Sequence, residues 1–131
     1  GDTGPSMGER KRIWAAGNVD LAISIHNNSG GSPLASPGTA TLYKHTFCRP
    51  LNECVLSRIL ETGLPMFGLV GNFNFSLNGP TLYPNCLVEG MFMSSLQEEE
   101  KLADPKFRQL FAEKIAQGIE DYLSKAAASR R

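Results

Sequence analysis

The 131-residue sequence predicts an α/β fold with a mostly parallel, mixed sheet flanked by helices. Short apolar runs typical of strands alternate with helical patterns, and clusters of Gly, Ser and Pro separate them. A hydrophobic content of 41% is ordinary for a protein with one core, and the length allows at most one domain. Since only four strands are recognisable, we expect one partial domain over residues 1–131 that lacks its N-terminal strands.

The first half of the chain is predicted to contain two helices and two strands. Ser6 and Glu9 have the spacing of a capping box, which starts a helix, and Gly63 is a typical helix stop. In chain order the predicted elements are a helix over 6–16, a strand over 21–25, a strand over 38–43 and a helix over 50–62.

The second half is predicted to contain two more strands and two more helices. The glycines at 68 and 71 indicate a connector, and the alternation over 73–77 predicts a half-exposed strand. A strand over 86–88 follows, and then a short helix capped by Ser94 or Ser95, whose acidic run 98–100 we expect to be solvated.

The last helix is predicted to begin at Asp104-Pro105 and to fray from Ala126. Its core-facing stripe follows helical spacing. The stripe comprises Phe107, Leu110, Phe111, Ile115, Ile119, Tyr122 and Leu123.

Charge and composition exclude some classes of protein. With 13 basic and 13 acidic residues there is no polyanion-binding surface, so we expect no nucleic-acid partner. No apolar run approaches the ~20 residues that span a membrane. The chain opens without an initiator methionine, so we expect it to be processed or a fragment.

The three cysteines do not fix the redox compartment. An odd count leaves at least one thiol free, and Cys86 lies in an apolar run that favours burial. A bridge between Cys48 and Cys54 remains open at this stage.

Two predicted strands each end in a side chain that can do chemistry. The run over 20–28 ends in His26, Asn27 and Asn28, and the run over 84–90 delivers Glu89. Ligand sites in open α/β sheets lie at the carboxyl ends of strands. A single strand-end histidine is more often structural, but a histidine and a glutamate at the same end of a sheet form a candidate site.

These segments resemble the zinc-dependent N-acetylmuramoyl-L-alanine amidases of the amidase-3 family. Residues 20–29 are similar to the family's SIHaN signature, and residues 84–92 to its P-vLvE-GF strand. The strand over 38–43 and the closing helix over 111–123 lie where the family has a strand and its last helix. The resemblance covers about the C-terminal two-thirds of the catalytic domain.

The resemblance implies that His26 is a zinc ligand and that Glu89 is the catalytic carboxylate. The second histidine and the ligand glutamate of the family precede residue 1, in a missing segment of the same protein or in a separate chain. His45 follows a strand without motif support, and we interpret it as a surface residue. Asn27 and Asn28 either contact His26 or the substrate, or serve as turn residues.

The resemblance further implies a peptidoglycan hydrolase that cleaves the amide between N-acetylmuramic acid and L-alanine of the stem peptide. The cofactor is then Zn²⁺, the partner is peptidoglycan, and the location is periplasmic, cell-wall associated or secreted. Because catalytic zinc uses about three protein ligands, we expect the 131 residues alone to bind zinc weakly and to lack activity.

The sequence leaves one alternative function open and gives no support to another. A non-catalytic, amidase-like module could bind cell-wall fragments or a partner protein, and upstream ligands would distinguish it from the enzyme. Serine hydrolysis has no support, because the sequence contains no GxSxG and Ser24 lies within a strand.

Overall fold

The computed structural model describes residues 4–130, which form a four-stranded mixed sheet and four α-helices. The helices are α1 (Met7–Ala16), α2 (Arg49–Ile59), α3 (Leu96–Ala103) and α4 (Pro105–Ser129). The strands are β1 (Ala22–Asn28), β2 (Thr39–Leu42), β3 (Met66–Val70) and β4 (Asn85–Phe92). Short 3₁₀ turns cover Thr46–Cys48, Leu60–Thr62 and Ser76–Asn78. The predicted α/β class with a mixed sheet is confirmed.

Strand direction brings three chain segments to one end of the sheet. The strand order is β1-β4-β2-β3, in which β1 runs parallel to β4 and β2 runs parallel to β3. The central pair, β4 and β2, is antiparallel. The last residues of β1 and β4 and the first residues of β2 therefore lie together, and we call this region the site end of the sheet.

The sheet has a large apolar layer on one face and a small one on the other. The larger cluster joins the sheet to α2 and α4, and it comprises Leu51, Val55, Ile59, Leu64, Cys86, Val88, Met91, Phe111 and Ile115. The smaller cluster comprises Ala40, Leu42 and Leu87, with Val70 and Phe75 packed against it. Burial of these side chains is the main favourable term that holds the sheet in place.

Strand β1 lies at the edge of the sheet that residues 4–130 form, although its apolar residues favour a central position. Ile23 packs against the larger cluster, but the side chain of Ile25 is 58% exposed. An open, apolar strand edge is unusual in proteins because it invites further pairing. The expectation that more strands belong beside β1 stays a prediction.

The predicted strand over 73–77 is wrong. The strand in this region is Met66–Val70, which pairs with β2, and Ser76–Asn78 is a 3₁₀ turn. Phe75 packs on the smaller cluster and Leu77 is buried, so the alternation of apolar residues reflects a turn folded onto the sheet. The side-chain amide of Asn78 donates to the Leu42 carbonyl oxygen at 2.8 Å and fixes this turn at the end of β2.

The predicted helix ends are largely confirmed. The capping box at Ser6 and Glu9 is formed, and Gly63 follows the Leu60–Thr62 turn with a φ of 88°. Asp104 caps α4, which continues to Ser129, so the expected fraying from Ala126 is wrong within the described residues. The Cys48–Cys54 bridge is also absent, since all three cysteines are free and buried.

Helices α2 and α4 approach each other closely at Gly118. A Cβ atom at this position would lie 2.5 Å from the Cα of Val55 and 2.9 Å from the carbonyl oxygen of Cys54. Both obstacles are backbone atoms, so they cannot rotate away. The absence of a side chain at Gly118 therefore sets the distance between the two helices.

We predict that Gly118→Ala destabilises the fold by about 1–3 kcal/mol, because it forces an atom into a packed helix contact. The matched control is Gly8→Ala in α1, where a Cβ atom would meet nothing within 4 Å. The control is expected to be neutral or stabilising, since Gly is a poor helix former. Urea denaturation of both variants measures the difference, and equal stability would contradict this account of the α2–α4 contact.

Candidate active site at the strand ends

His26 and Glu89 are direct neighbours on adjacent parallel strands. The register of β1 and β4 pairs Ile25 with Val88 and His26 with Glu89. Since side chains alternate between the faces of a sheet, both site residues lie on the face that carries Leu87. The prediction that the two strands deliver their polar residues to the same end of the sheet is confirmed.

Two neighbours hold the half-buried imidazole of His26. Its Nε2 lies 2.8 Å from the hydroxyl oxygen of Ser24, two residues earlier on the same face of β1. The ring also meets Phe75 edge to face, with 5.8 Å between ring centroids and 88° between the planes. When Nε2–H donates to Ser24, the lone pair of the imidazole is on Nδ1, so one ring nitrogen is anchored and the other is a candidate ligand atom.

The carboxylate of Glu89 has an incomplete set of hydrogen bonds. Its Oε2 is buried and has no hydrogen-bond partner among residues 4–130. Burial raises the pKa of the Glu89 carboxyl above its ordinary value, and the charge on His26 partly opposes this shift. A carboxylate with a raised pKa and a free oxygen can accept and return a proton, which is what a general acid–base needs.

The backbone of Glu89 is held from the β2 side. Ala40 is its antiparallel partner, and the buried hydroxyl of Thr39 donates to the Glu89 carbonyl oxygen at 3.2 Å. Glu89 thus lies between two strands and carries its side chain on the same face as His26.

Asn27 and Asn28 take different positions. Alternation places Asn27 on the face opposite His26, where its Oδ1 accepts from the backbone N–H of Met91 at 3.3 Å. Asn28 shares the face of His26, and its Oδ1 accepts from the Ser29 N–H at 2.9 Å. The register of β1 and β4 shifts between His26 and Asn28, and Asn27 supports the backbone at this irregularity.

His26 and Glu89 do not form a complete metal site within the described residues. Among residues 4–130, no three side chains of His, Cys, Asp or Glu lie close enough to hold a metal ion. His45 is half-buried and its Nε2 lies 3.1 Å from the Gly79 carbonyl oxygen. His45 therefore bonds a backbone carbonyl oxygen 34 residues away in the chain, apart from the Ser24–His26 pair.

Three residues at this site were not identified from the sequence. Ser24 has a weak signal, since it stands two residues before His26 and so shares its face. Thr39 and Phe75 had none, because their contacts depend on how distant segments pair. The sequence also predicts a strand at Phe75, whereas the structure places Phe75 just before a 3₁₀ turn.

A histidine beside a carboxylate with a free oxygen, at the strand ends of an α/β sheet, is an arrangement that general acid–base chemistry can use. Comparison with known proteins identifies the family to which the chain belongs. A family model described as N-acetylmuramoyl-L-alanine amidase matches residues 1–121, and the chain belongs to this family. No curated protein matches the chain.

Solved amidase structures have the same fold. The catalytic domain of CwlV, an N-acetylmuramoyl-L-alanine amidase from Bacillus (Paenibacillus) polymyxa var. colistinus, is 30% identical with a TM-score of 0.85. The amidase from Clostridium difficile 630 is 28% identical with a TM-score of 0.85, and AmiC2 of Nostoc punctiforme is 27% identical with a TM-score of 0.86. Each alignment covers 94% of this chain and 68% of the solved chain.

We predict that Asn27→Ala lowers the free energy of unfolding by about 0.5–1.5 kcal/mol, since it leaves the Met91 N–H without its acceptor. Asn27→Asp keeps an acceptor oxygen and is the matched control. Thermal or denaturant unfolding compares the two variants. If Asn27→Ala melts like the wild type, the Asn27–Met91 hydrogen bond does not stabilise the strand ends.

Proposed function

We propose that the protein is a peptidoglycan amidase that cleaves the bond between N-acetylmuramic acid and the L-alanine of the stem peptide by zinc-activated water. The observation that carries the proposal is the pairing of His26 with Glu89 across β1 and β4, in a chain that belongs to the amidase family. The partial domain over residues 1–131 supplies both of these groups.

In this proposal His26 is a ligand of the zinc ion. The Ser24 contact fits that role, because histidine ligands usually bond an acceptor through their second ring nitrogen. A catalytic zinc ion, when bound, supplies an acidified water molecule and polarises a carbonyl group. The residues present fit part of such a site, and its remaining ligands would come from outside residues 4–130.

Glu89 is proposed to be the catalytic carboxylate. With the nucleophilic water on the His26 side, the free Oε2 takes its proton, and the protonated carboxyl then gives that proton to the leaving amine of L-alanine. Burial raises the pKa of the Glu89 carboxyl, which makes its carboxylate a better base than an ordinary one. The hydrogen bond from Thr39 holds the Glu89 backbone while the proton moves.

Substrate contacts are proposed for Asn28 and Asn27. Asn28 lies on the face of His26, and its side-chain N–H groups remain available for a carbonyl oxygen of the glycan or the peptide. Asn27 keeps its oxygen on the Met91 N–H, which leaves its amide nitrogen for a substrate at the rim. The assignment of Asn28 rests on the face it shares with His26, and that of Asn27 rests only on its position at the same strand end.

The proposed substrate places the protein in the periplasm, in the cell wall or outside the cell. None of the helices that the structure describes is both long and apolar enough to cross a membrane. The alternative, a non-catalytic module that binds wall fragments, is less consistent with the site. A binding surface does not need a glutamate beside a histidine at the strand ends, with an oxygen free to take a proton.

We predict that Glu89→Gln in the intact protein lowers amide hydrolysis by about 10²–10⁴-fold, because Gln cannot accept and return a proton. Zinc content and melting temperature are expected to stay near wild type. Release of free peptide from purified peptidoglycan measures activity, and Glu99→Gln, at an exposed position of α3, is the control. Retained activity in Glu89→Gln would remove Glu89 from the mechanism, and loss of zinc would make it a ligand instead.

We predict that His26→Ala strongly reduces the zinc content of the intact protein, because one of about three ligands is lost. His45→Ala changes the only other histidine of the chain and is expected to retain zinc. Metal analysis of the purified, folded variants gives the zinc-to-protein ratio. Full zinc occupancy in His26→Ala would exclude His26 as a ligand.

A further inference from the structure

Glu98 is fully buried, with 0% of the residue exposed, although it belongs to an acidic run expected to be solvated. Its neighbours Glu99 and Glu100 are exposed as expected. The Oε1 of Glu98 accepts from the backbone N–H of Gly38 at 3.0 Å, across 60 residues of sequence. Its Oε2 is buried without a partner among residues 4–130.

The same chain shows where such a glutamate normally bonds. In α1 the N3 glutamate, Glu9, reaches back and accepts from the N–H of the N-cap residue Ser6 at 2.6 Å. In α3 the N-cap Ser95 accepts from the N–H of Glu98, which is one half of the same box. The carboxylate of Glu98 does not close the box and bonds Gly38 instead.

The bond from Gly38 to Glu98 requires a buried carboxylate, whereas the carboxylate that closes the capping box of α1 lies at the surface. A buried carboxylate with one unpaired oxygen is unfavourable, whereas an apolar side chain would fill the same space but leave the buried Gly38 N–H without an acceptor. The contribution of the buried carboxylate is therefore its contact with Gly38.

The two residues that follow Gly38 in the chain contact the backbone of Glu89, the proposed catalytic carboxylate. Thr39, the next residue, donates its hydroxyl to the Glu89 carbonyl oxygen, and Ala40 pairs with Glu89. Gly38 has a φ of 92°, and a Cβ atom there would collide with the Pro65 carbonyl group, so its backbone has little freedom. The Glu98 contact thus fixes the residue from which β2 begins to support Glu89.

The segment after His26 is tied to the same region. Ser94 exchanges two hydrogen bonds with the backbone of Gly30, at 2.9 Å and 2.7 Å. The N–H of Leu96 donates to the Pro33 carbonyl oxygen at 3.0 Å. With the Glu98 contact, the start of α3 holds the 29–38 loop at its beginning, middle and end.

We propose that Glu98 is a positioning residue for Glu89, which acts through the Gly38 N–H and the Thr39 hydroxyl. The inference rests on the proposed amidase function. Loss of the Glu98 acceptor releases the start of β2 and lets the Glu89 backbone move, which misplaces the carboxylate without removing it. A displacement of this kind lowers kcat by about 10²-fold at most and leaves KM little changed.

The test compares Glu98→Ala with Glu98→Gln in the intact, zinc-loaded protein. Glu98→Gln keeps an oxygen for the Gly38 N–H, so it is expected to retain most of kcat, whereas Glu98→Ala loses it. Amide hydrogen exchange of a peptide spanning 34–43 should become faster in Glu98→Ala alone. Glu99→Ala is the surface control, and Gly118→Ala, at the α2–α4 contact, controls for general destabilisation.

The proposal is supported if kcat falls and exchange at 34–43 rises in Glu98→Ala, while Glu98→Gln and Glu99→Ala keep both near wild type and Gly118→Ala keeps its kcat. It is overturned if Glu98→Ala keeps its kcat, if Glu98→Gln loses as much, or if Gly118→Ala loses as much. If Glu98→Ala does not fold, Thr39→Val decides the matter, since it removes only the hydroxyl that bonds Glu89. A Thr39→Val variant with wild-type kcat then overturns the proposal.

The two proposals fail separately. If the wild-type protein with zinc releases no peptide from peptidoglycan, the amidase function fails and the positioning role fails with it. If the wild type is active and Glu98→Ala is equally active, only the positioning role fails.

Discussion

The parallel pairing of β1 with β4 is the interaction on which the candidate site depends. It sets His26 beside Glu89 on one face, and a slip of one residue would turn one side chain to the opposite face. The register is fixed by burial, since Val88 and Cys86 of β4 belong to the larger apolar cluster together with residues of α2 and α4. By setting the strand register, the apolar core determines which two polar side chains lie beside each other. None of its own residues contributes a polar group to the candidate site.

Two buried glutamates lie near the site end, and each keeps one buried oxygen without a partner among residues 4–130. Three buried asparagines away from the site, Asn52, Asn78 and Asn85, also keep an unpaired Oδ1, so an unpaired oxygen does not by itself mark the site. What distinguishes Glu89 is its place beside His26 at the strand ends.

The sequence allowed the α/β class, most helix ends and the pair His26 and Glu89 to be predicted, because these depend on local patterns. Strand periodicity and motif spacing are properties of neighbouring residues. The position of β3 was missed because pairing with β2, and not alternation, decides which segment becomes a strand. The burial of Glu98 and the roles of Thr39 and Phe75 could not be predicted, since each depends on contacts between residues far apart in the chain.

The antiparallel arrangement at the centre of the sheet has a consequence for how this fold diversifies. Because β1 ends and β2 begins at the same end, with β4 between them, the 29–38 loop passes over the end of β4. A change in length between Pro33 and Gly38 alters the rim of the site while the contacts at these two residues and the strand register are retained. A longer loop adds little to the entropy cost of closing the loop. Insertions in this loop can therefore change the shape of the site rim while the sheet stays the same.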